Sequence, residues 1–256
     1  MFRHSGKTRT LAHNLRIASL LSFVAGIVNV AGFLAVQRLT TNVTGHFAYF
    51  IDEVFKLNFW NGFIYFLYIF FFFFGSFVSS LIISLISRKD DRYIYAVPAS
   101  IECLILFAIG VFGSHLIVKS PDTIAFSLLF SMGLQNSLVT TISSARVRTT
   151  HLTGLFTDLG IEVSQLFFYK KKEQQSQLIS SIKLRLTIIC FFFSGGIIGG
   201  VSYSTYGLYI LIFAGVVLVI GLVYAHIKYR ILLLIRMLKV LIEDQILRIK
   251  ANKKKF

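Results

Sequence analysis

Two carboxylates stand four residues apart in the most polar run that borders an apolar segment of this sequence. Asp158 and Glu162 are one helical turn apart, so a helix would present both on one face. Thr153 and Thr157 supply hydroxyl groups just before them. A carboxylate can bind a cation or exchange a proton if it faces the interior of a helical bundle. The alternative is a short helix at the membrane surface, where water solvates both acids.

This polar run has a second copy earlier in the chain. Seven residues of 149–163 match residues of 40–54 at an offset of 109, with threonine, glycine and glutamate in the same order. Apolar matches arise easily by chance in so apolar a sequence, whereas ordered polar and glycine matches do not. We call residues 40–47 the first Thr-Gly stretch and residues 149–156 the second Thr-Gly stretch, and we expect any function to reside there.

The two copies extend upstream, which defines two repeat units. Residues 124–136 match residues 17–29 at an offset of 107, including a glycine and an asparagine. The segment Ser120-Pro121-Asp122 provides a boundary, since serine, aspartate and proline favour the start of a helix. The sequence therefore predicts a first repeat over 15–119 and a second repeat over 120–227.

The composition places the chain in the membrane. It has 256 residues, of which 55% are hydrophobic and 14% are charged. Soluble domains have roughly 45–50% apolar and about 25% charged residues. The apolar runs are long and continuous instead of alternating, so they predict helices and not a barrel. The fold class predicted is an all-α polytopic membrane protein whose first partner is the lipid bilayer.

Six apolar runs are long enough to cross a bilayer as helices. The first run is longer than the core of a signal peptide and carries repeat residues, so we interpret it as a retained span. The polar residues from Lys170 to Ser181 predict a solvated loop. The predicted spans cover 15–37, 60–87, 93–118, 123–144, 184–203 and 206–227.

Basic residues orient these spans. The formal net charge is +15, and the Lys and Arg residues lie mostly at the ends of apolar runs, which argues against a nucleic-acid partner. Cytoplasmic segments of membrane proteins are enriched in Lys and Arg. This rule places 1–14, 88–92, 145–183 and 228–256 in the cytoplasm, so both termini are cytoplasmic. Residues 228–256 predict a basic amphipathic helix on the membrane surface.

The six-span arrangement gives the two repeats opposite directions. They begin three spans apart, so they enter the bilayer from opposite faces as an inverted repeat of three plus three. Each Thr-Gly stretch then contains a short interrupted helix. Transporters place substrate sites at such repeat interfaces, on interrupted helices near the midplane.

Four motifs resemble those of the YoaK family, also called the DUF1275 family. They are Gly26-Ile27-Val28-Asn29, Thr44-Gly45-His46, the run Met132 to Asn136, and the run Arg148 to Gly154. The resemblance covers about 15–225 and implies a bacterial multi-span protein of the cytoplasmic membrane. The first half departs from the family pattern, which has Asp at position 29 and Asn at position 46. A coupling role for that Asp cannot be carried over to Asn29.

Polar and glycine residues of both copies are the candidate substrate-binding residues. The glycines could instead serve close helix packing, and the amides could instead bridge helices. No catalytic or metal-binding motif and no cofactor site is recognisable, so an enzyme is not expected. The candidates are Asn29, Thr41, Asn42, Thr44, Gly45, Gln135, Asn136, Thr150, Thr153, Gly154, Asp158 and Glu162.

Several further polar residues keep two interpretations. Glu102 is either buried with a partner, such as a basic residue, or close enough to the interface to reach water. Arg146 and Arg148 either bind an anionic substrate or lipid headgroup, or anchor the chain on the cytoplasmic side. His46 and His151 could titrate near neutral pH, although a structural hydrogen bond is the more common role.

The functional hypothesis is a small-solute or ion transporter. The alternative is a non-transporting membrane protein that binds lipid or a membrane partner, motivated by the basic residues 228–256. Two glycine pairs, Gly195-Gly196 and Gly199-Gly200, could bring helices together within the bundle or between protomers, which leaves a homo-oligomer open.

Overall fold

The chain is a bundle of α helices. The computed structural model describes residues 10–87, 94–143, 145 and 147–224, together with positions 227, 231 and 237. Within these residues there are helices, turns and bends but no strand. The α helices are α1 (Leu11–Val36), α2 (Thr44–Phe55), α3 (Phe59–Ser87), α4 (Ala96–Lys119), α5 (Pro121–Ser143), α6 (Leu152–Leu166) and α7 (Lys172–Tyr206), and a 3-10 turn (Gly207–Tyr209) then leads into helical residues 210–224.

Five of the helical segments in the described part of the chain are long and apolar enough to cross a membrane. Four of them are α1, α3, α4 and α5. The fifth runs from Lys172 to Tyr224, 53 residues, and includes both of the last two predicted spans. The helices α2 and α6 have 12 and 15 residues, and at 1.5 Å per residue neither spans the roughly 30 Å hydrocarbon core.

A break divides the fifth segment. Gly207 lies at φ 57° and ψ −140°, a conformation that a residue with a Cβ rarely adopts. The position of this break agrees with the predicted boundary between the spans 184–203 and 206–227. A continuous helix of 53 residues would extend about 80 Å, far more than a bilayer requires, whereas two helices fit it.

The solvated loop predicted from Lys170 to Ser181 is wrong from Lys172 onward, because α7 begins there. Glutamine, lysine and glutamate are good helix formers, and this turn-poor sequence has no glycine or proline that would stop a helix. Its polar residues instead form a helical extension of the apolar span. Likewise α1 begins at Leu11, four residues before the predicted span.

The helices α1 and α7 pack in parallel through glycines. A Cβ at Gly195 would collide with the backbone of Phe23, and one at Gly199 would meet the backbone of Ile27. A Cβ at Gly26 would collide with the carbonyl oxygen of Phe192. Both glycine pairs of α7 therefore face α1 within one chain, where small residues allow the backbones to approach closely.

The helices α3 and α5 form a second pair of the same kind. A Cβ at Gly133 would collide with the carbonyl oxygen of Phe72, and one at Gly75 with that of Phe130. The hydroxyl of Ser76 donates a hydrogen bond of 3.1 Å to the carbonyl oxygen of Gly133. Tyr68 contacts Asp122 at the beginning of α5 and Phe74 contacts Phe130 farther along it, so this pair is also parallel.

The helix α4 connects α3 to α5 in the chain and runs antiparallel to α5. The turn at Ser120 separates them by one residue, and Gln135 of α5 reaches Glu102 of α4. Gly110 and Gly113 of α4 contact Ile212 and Leu208 of the segment that follows α7. This side of the bundle buries a mostly apolar core.

Residue contacts divide the chain into two compact units. The first, Met1–Val219, contains both Thr-Gly stretches. The second is Ile220–Phe256, in which residues 220–224 are helical. The predicted segment 1–14 is described only from residue 10, and the predicted charged turn 88–92, Arg146 and nearly all of the basic segment 228–256 lie outside the described residues.

Candidate functional site

The first helix of each repeat ends at a residue with left-handed backbone geometry. Gln37 follows α1 at φ 53°, and Ala145 follows α5 at φ 62°. Neither is a glycine, so the conformation costs roughly 1–2 kcal/mol at each position. The described residues 38–43 and 147–151 are non-helical, and the short helices α2 and α6 follow them. The chain is thus interrupted at corresponding places in both repeats.

In each copy, a threonine of the Thr-Gly stretch donates a hydrogen bond back to the helix that precedes the interruption. The hydroxyl of Thr41 donates to the side-chain oxygen of Asn29 at 2.6 Å, and that of Thr150 donates to the side-chain oxygen of Asn136 at 2.9 Å. The two bonds join residues that the sequence repeat makes equivalent. The amide of Asn136 also donates to the carbonyl oxygen of Met132 at 2.7 Å. These four candidate residues therefore hold the Thr-Gly stretches in place.

The neighbouring threonines differ between the copies. Thr40 is buried and donates to the backbone oxygen of Val28 at 3.1 Å. Thr149 is also buried, but it donates to the side-chain oxygen of Gln135 at 3.1 Å. The amide nitrogen of Gln135 donates in turn to Glu102 at 2.8 Å. The second copy thus contains a buried side-chain network that replaces a backbone contact in the first.

An open cavity of about 760 Å³ lies at the second Thr-Gly stretch. It is formed where α6, the first turns of α7 and the beginning of α1 meet the residues after α5. Positive side chains, a negative side chain and hydroxyl groups line it, which distinguishes it from the apolar core. Its lining residues are Leu11, Asn14, Ala145, Arg148, His151, Gly154, Leu155, Asp158, Ser176, Gln177, Ser180, Ser181, Leu184 and Arg185.

Arg185 holds both carboxylates of α6 beside this cavity. Its guanidinium lies 2.8 Å from the Asp158 carboxylate. It also donates two hydrogen bonds, of 2.8 and 2.9 Å, to the two oxygens of Glu162. The hydroxyl of Ser181 donates to Glu162 at 2.6 Å. The expectation that Asp158 and Glu162 share one helix face is consistent with this geometry, but the structure gives them an arginine instead of a free cation.

The pairing determines the charge state of Glu162. Partial burial acts to raise the pKa of its carboxyl group, but the hydrogen bonds from Arg185 and Ser181 and the charge of Arg185 outweigh burial, so the pKa lies below the ordinary value. The side chain of Glu162 is 14% exposed, compared with 51% for Asp158. Glu162 is therefore the more tightly held carboxylate, and Asp158 keeps a free face toward the cavity.

The corresponding region at the first Thr-Gly stretch is filled by aromatic side chains. His46 is 1% exposed, and its ring lies 4.7 Å from that of Tyr68, measured between centroids. Arg38 lies over the ring of Tyr65 at 5.8 Å. The hydroxyl of Tyr68 donates to the carboxylate of Asp122. We call Arg38, His46, Tyr65, Tyr68 and Asp122 the aromatic cluster.

His46 is a structural residue of this cluster. Its Nε2 atom lies 2.5 Å from the carbonyl oxygen of Leu39. Burial lowers the pKa of its imidazole, the hydrogen bond with Leu39 opposes that effect, and the charge of Arg38 adds to the lowering. A neutral imidazole donates from Nε2 to this carbonyl oxygen, which agrees with the structural interpretation of His46.

The remaining candidate residues have more limited roles. Gly45 lies against the side chain of Leu39, and Gly154 lies against the ring of His151, so each glycine leaves room for a neighbour. Asn42 is half-buried, while Thr44 and Thr153 are exposed. Among the candidates, Gly154 and Asp158 line the cavity directly. Glu162 bonds to the lining residues Arg185 and Ser181. Gln135 bonds to Thr149, the residue that follows the lining residue Arg148.

The sequence did not identify Arg185 or the aromatic cluster as parts of a site. Arg185 stands at the start of a predicted span, where a basic residue normally anchors the helix at the interface. Tyr65 and Tyr68 stand among apolar residues, and Asp122 was interpreted only as part of a helix start. The one signal for Arg185 in the sequence was its position inside the apolar run that begins at Leu184.

Comparison with known proteins agrees with the resemblance drawn from the motifs. A family described as "Protein of unknown function (DUF1275)" matches residues 17–224. The UPF0700 transmembrane protein YoaK of Bacillus subtilis (strain 168) is 24% identical over 219 residues, which cover 82% of this chain and 93% of that protein. No solved structure matches the chain.

Proposed function

Because the chain belongs to the DUF1275 family of multi-span membrane proteins, whose description assigns no activity, we propose its function from the geometry: it is a small-solute or ion transporter. The observation that carries the proposal is the polar cavity of about 760 Å³ at the second Thr-Gly stretch. Non-helical backbone at membrane depth is tolerated where it lines a water-filled cavity. The substrate would bind between α6, α7 and the residues after α5.

The contrast between the two Thr-Gly stretches supports alternating access. The second borders an open cavity, whereas the aromatic cluster occupies the first. In the first copy Tyr49 stacks on Tyr65 at 5.2 Å between centroids. Asp158, at the position equivalent to Tyr49, pairs with Arg185 in the second copy. We infer a state that is open at the second stretch and closed at the first.

The matching contacts support the inverted repeat that this mechanism needs. Gly26 and Gly133 are equivalent at the repeat offset of 107, and each glycine meets a phenylalanine carbonyl, that of Phe192 or of Phe72. The first helix of each repeat thus packs against the long helix of the other. The beginning of α1 also lies at the cavity with the residues that follow α5. We infer that α1 and α5 cross the membrane in opposite directions.

Labelling of introduced cysteines tests this topology. Asn42→Cys and His151→Cys, each in a chain with Cys103→Ser and Cys190→Ser, are expected to react with a membrane-impermeant maleimide from opposite faces of the cytoplasmic membrane. By the positive-inside rule, position 151 is cytoplasmic and reacts only after the cells are opened. Reaction of both positions from the same side would contradict the inverted repeat and remove the support for alternating access.

Transport itself is testable without knowing the substrate in advance. The purified protein in liposomes on a solid-supported membrane is exposed to amino acids, organic acids and alkali cations in turn, and protein-dependent currents are recorded. We expect at least one class to give a current. Glu162→Gln is expected to reduce it about tenfold, since it removes a charge-assisted interaction worth ~1.4 kcal/mol. Asp158→Asn is expected to reduce it less, by about threefold, because water screens this half-exposed carboxylate. Asp52→Asn, on exposed α2 beside Lys56, is the control and is expected to retain the current.

The outcomes separate the proposal from the lipid-binding alternative. A full current in both Asp158→Asn and Glu162→Gln would remove the carboxylates from the mechanism. The absence of current for every class, together with a phospholipid that copurifies and is lost in Arg148→Gln, would favour a lipid-binding protein and contradict transport.

A further inference from the structure

A carboxyl group is buried in the middle of the bundle, away from the cavity. Glu102 of α4 is 0% exposed. One of its oxygens, Oε1, accepts a hydrogen bond of 2.8 Å from the amide of Gln135. Its other oxygen, Oε2, is buried and has no hydrogen-bond partner in the described part of the chain. Of the two sequence interpretations, the buried one agrees with the structure, but the partner is an amide and not a basic residue.

The titratable groups around α4 do not compensate a charge at this position. Cys103 is its neighbour on the same helix, and the thiol is directed to the carbonyl oxygen of Gly215 at 3.8 Å. On α5 the nearest acid is Asp122, 13 residues before Gln135 and therefore about 20 Å away along the helix. Asp122 is bonded to Tyr68 of α3, and Tyr209 of the 3-10 turn is 55% exposed. No basic side chain contacts Glu102 among the described residues.

The chemistry of such a carboxyl group is that of a proton carrier. An ionised carboxylate in a membrane span is costly unless it is paired, and such residues mark proton or ion pathways. One proton on Oε2 removes the charge. It also turns the unpartnered acceptor into a hydroxyl donor that can be satisfied by a single nearby oxygen or water. The geometry therefore favours occupancy of this site by a proton.

A chain of hydrogen bonds connects Glu102 to the second Thr-Gly stretch. Gln135 uses both ends of its amide, since its nitrogen donates to Glu102 and its oxygen accepts from Thr149 at 3.1 Å. Thr149 lies between Arg148, which lines the cavity, and Thr150, which is tied to Asn136. Movement of this stretch would break the bond between Thr149 and Gln135 and let water from the cavity reach the amide and the carboxyl group.

We propose that Glu102 is a proton-binding site whose occupancy controls the release of the second Thr-Gly stretch from α5. This inference rests on the proposed transport function and names the coupling ion. In the held form, which is the one in the structure, Oε2 carries the proton, and Gln135 and Thr149 keep their bonds. In the released form the O–H bond of Glu102 breaks, and the proton passes to water in the cavity. Reprotonation from water reverses the step.

The test follows the accessibility of the stretch as a function of pH. The reporter is the thiol that Val147→Cys introduces, in a chain with Cys103→Ser and Cys190→Ser, because Val147 lies two residues before the stretch and is fully buried in the structure. Reaction rates of this thiol with a neutral maleimide in liposomes, divided by the rates of a free thiol at each pH, are expected to rise about tenfold from acidic to alkaline pH if the released form binds the proton about tenfold more weakly.

Substitutions at the site distinguish coupling from general pH effects. Glu102→Gln mimics the protonated acid, so its corrected rate is expected to stay low and change less than about twofold over the same range, a small fraction of the tenfold linkage. Glu102→Asp keeps a titratable group and is expected to retain the pH step. Gln135→Leu removes the connection and is expected to lose it. Glu173→Gln, an exposed acid at the start of α7, is the control and should behave like the parent.

The outcomes also separate this inference from the transport proposal. A corrected pH step that is identical in the parent and in folded Glu102→Gln, as judged by size-exclusion chromatography, would overturn the proton site. If Glu102→Gln does not fold, loss of the step in folded Gln135→Leu would support the site, and its persistence would overturn it. If the parent gives no substrate current but its pH step is lost in Glu102→Gln, the proton site is supported and the transport proposal is contradicted.

Discussion

Replacing Gly195 with alanine is expected to destabilise the bundle severely, by about 3 kcal/mol or more, the upper range for overpacking in a tightly packed core. The added Cβ would collide with the carbonyl oxygen of Phe23, which is backbone and cannot rotate away. The helices α1 and α7 would have to separate along the contact that Gly26 and Gly199 also form. The measurement is the temperature at which the detergent-solubilised protein loses its monodisperse peak on size-exclusion chromatography.

Gly160→Ala is the matched control for this prediction. Gly160 is an exposed residue of α6, and a Cβ there would meet nothing within 4 Å. Alanine is favoured over glycine inside a helix by up to about 1 kcal/mol, so this substitution is expected to be neutral or slightly stabilising. Equal melting temperatures for Gly195→Ala and the parent would contradict the close packing of α1 and α7.

Replacing Arg185 with glutamine is expected to have the second largest effect, a loss of about 1–3 kcal/mol from a partly buried, charge-assisted interaction. The variant leaves Asp158 and Glu162 without their cation, one turn apart on the same face of α6. Most of the loss comes from Glu162, because Asp158 is half exposed and water screens its share. Lys183→Gln, an exposed position two residues earlier on α7, is the control.

The pH dependence of this difference identifies Glu162 as its source. The pKa of Glu162 in the folded protein is below its unfolded value of about 4.5, so its contribution is fully present above that value and is lost as pH falls through the folded-state pKa. The stability gap between the parent and Arg185→Gln should therefore be constant near neutral pH and shrink below 4.5. A gap that stays constant into the acid range would assign the loss to packing instead.

The sequence predicted the membrane-spanning helices because their signal is local. Runs such as 60–87 and 93–118 consist of apolar side chains, and such composition alone requires a helix in a bilayer. The interruption after α1 and α5 was also predictable, since the matching threonines and glycines recur in order. The helical extension of α7 was not, because its polar residues resemble a loop when hydrophobicity is the only criterion.

The partners of the polar residues could not be predicted, because they come from distant parts of the chain. Glu162 meets an arginine 23 residues later, and Glu102 meets an amide 33 residues later. Tyr68 and Asp122 are 54 residues apart. Each of these pairs depends on which helices pack together, and a single sequence gives no information about that choice when every span is apolar.

The first helix of each half packs against the long helix of the other half, and this affects the order in which the protein can assemble during synthesis. The contacts that complete α1 belong to α7, so the ribosome must synthesise more than 130 further residues, from Val36 to Lys172, before α1 can be enclosed. During that interval its glycine surface faces lipid or the insertion machinery, and a nascent chain that stops after α5 would contain the finished pair of α3 and α5 but leave α1 without its partner. We therefore expect the bundle to be completed late in synthesis, when α7 inserts beside α1.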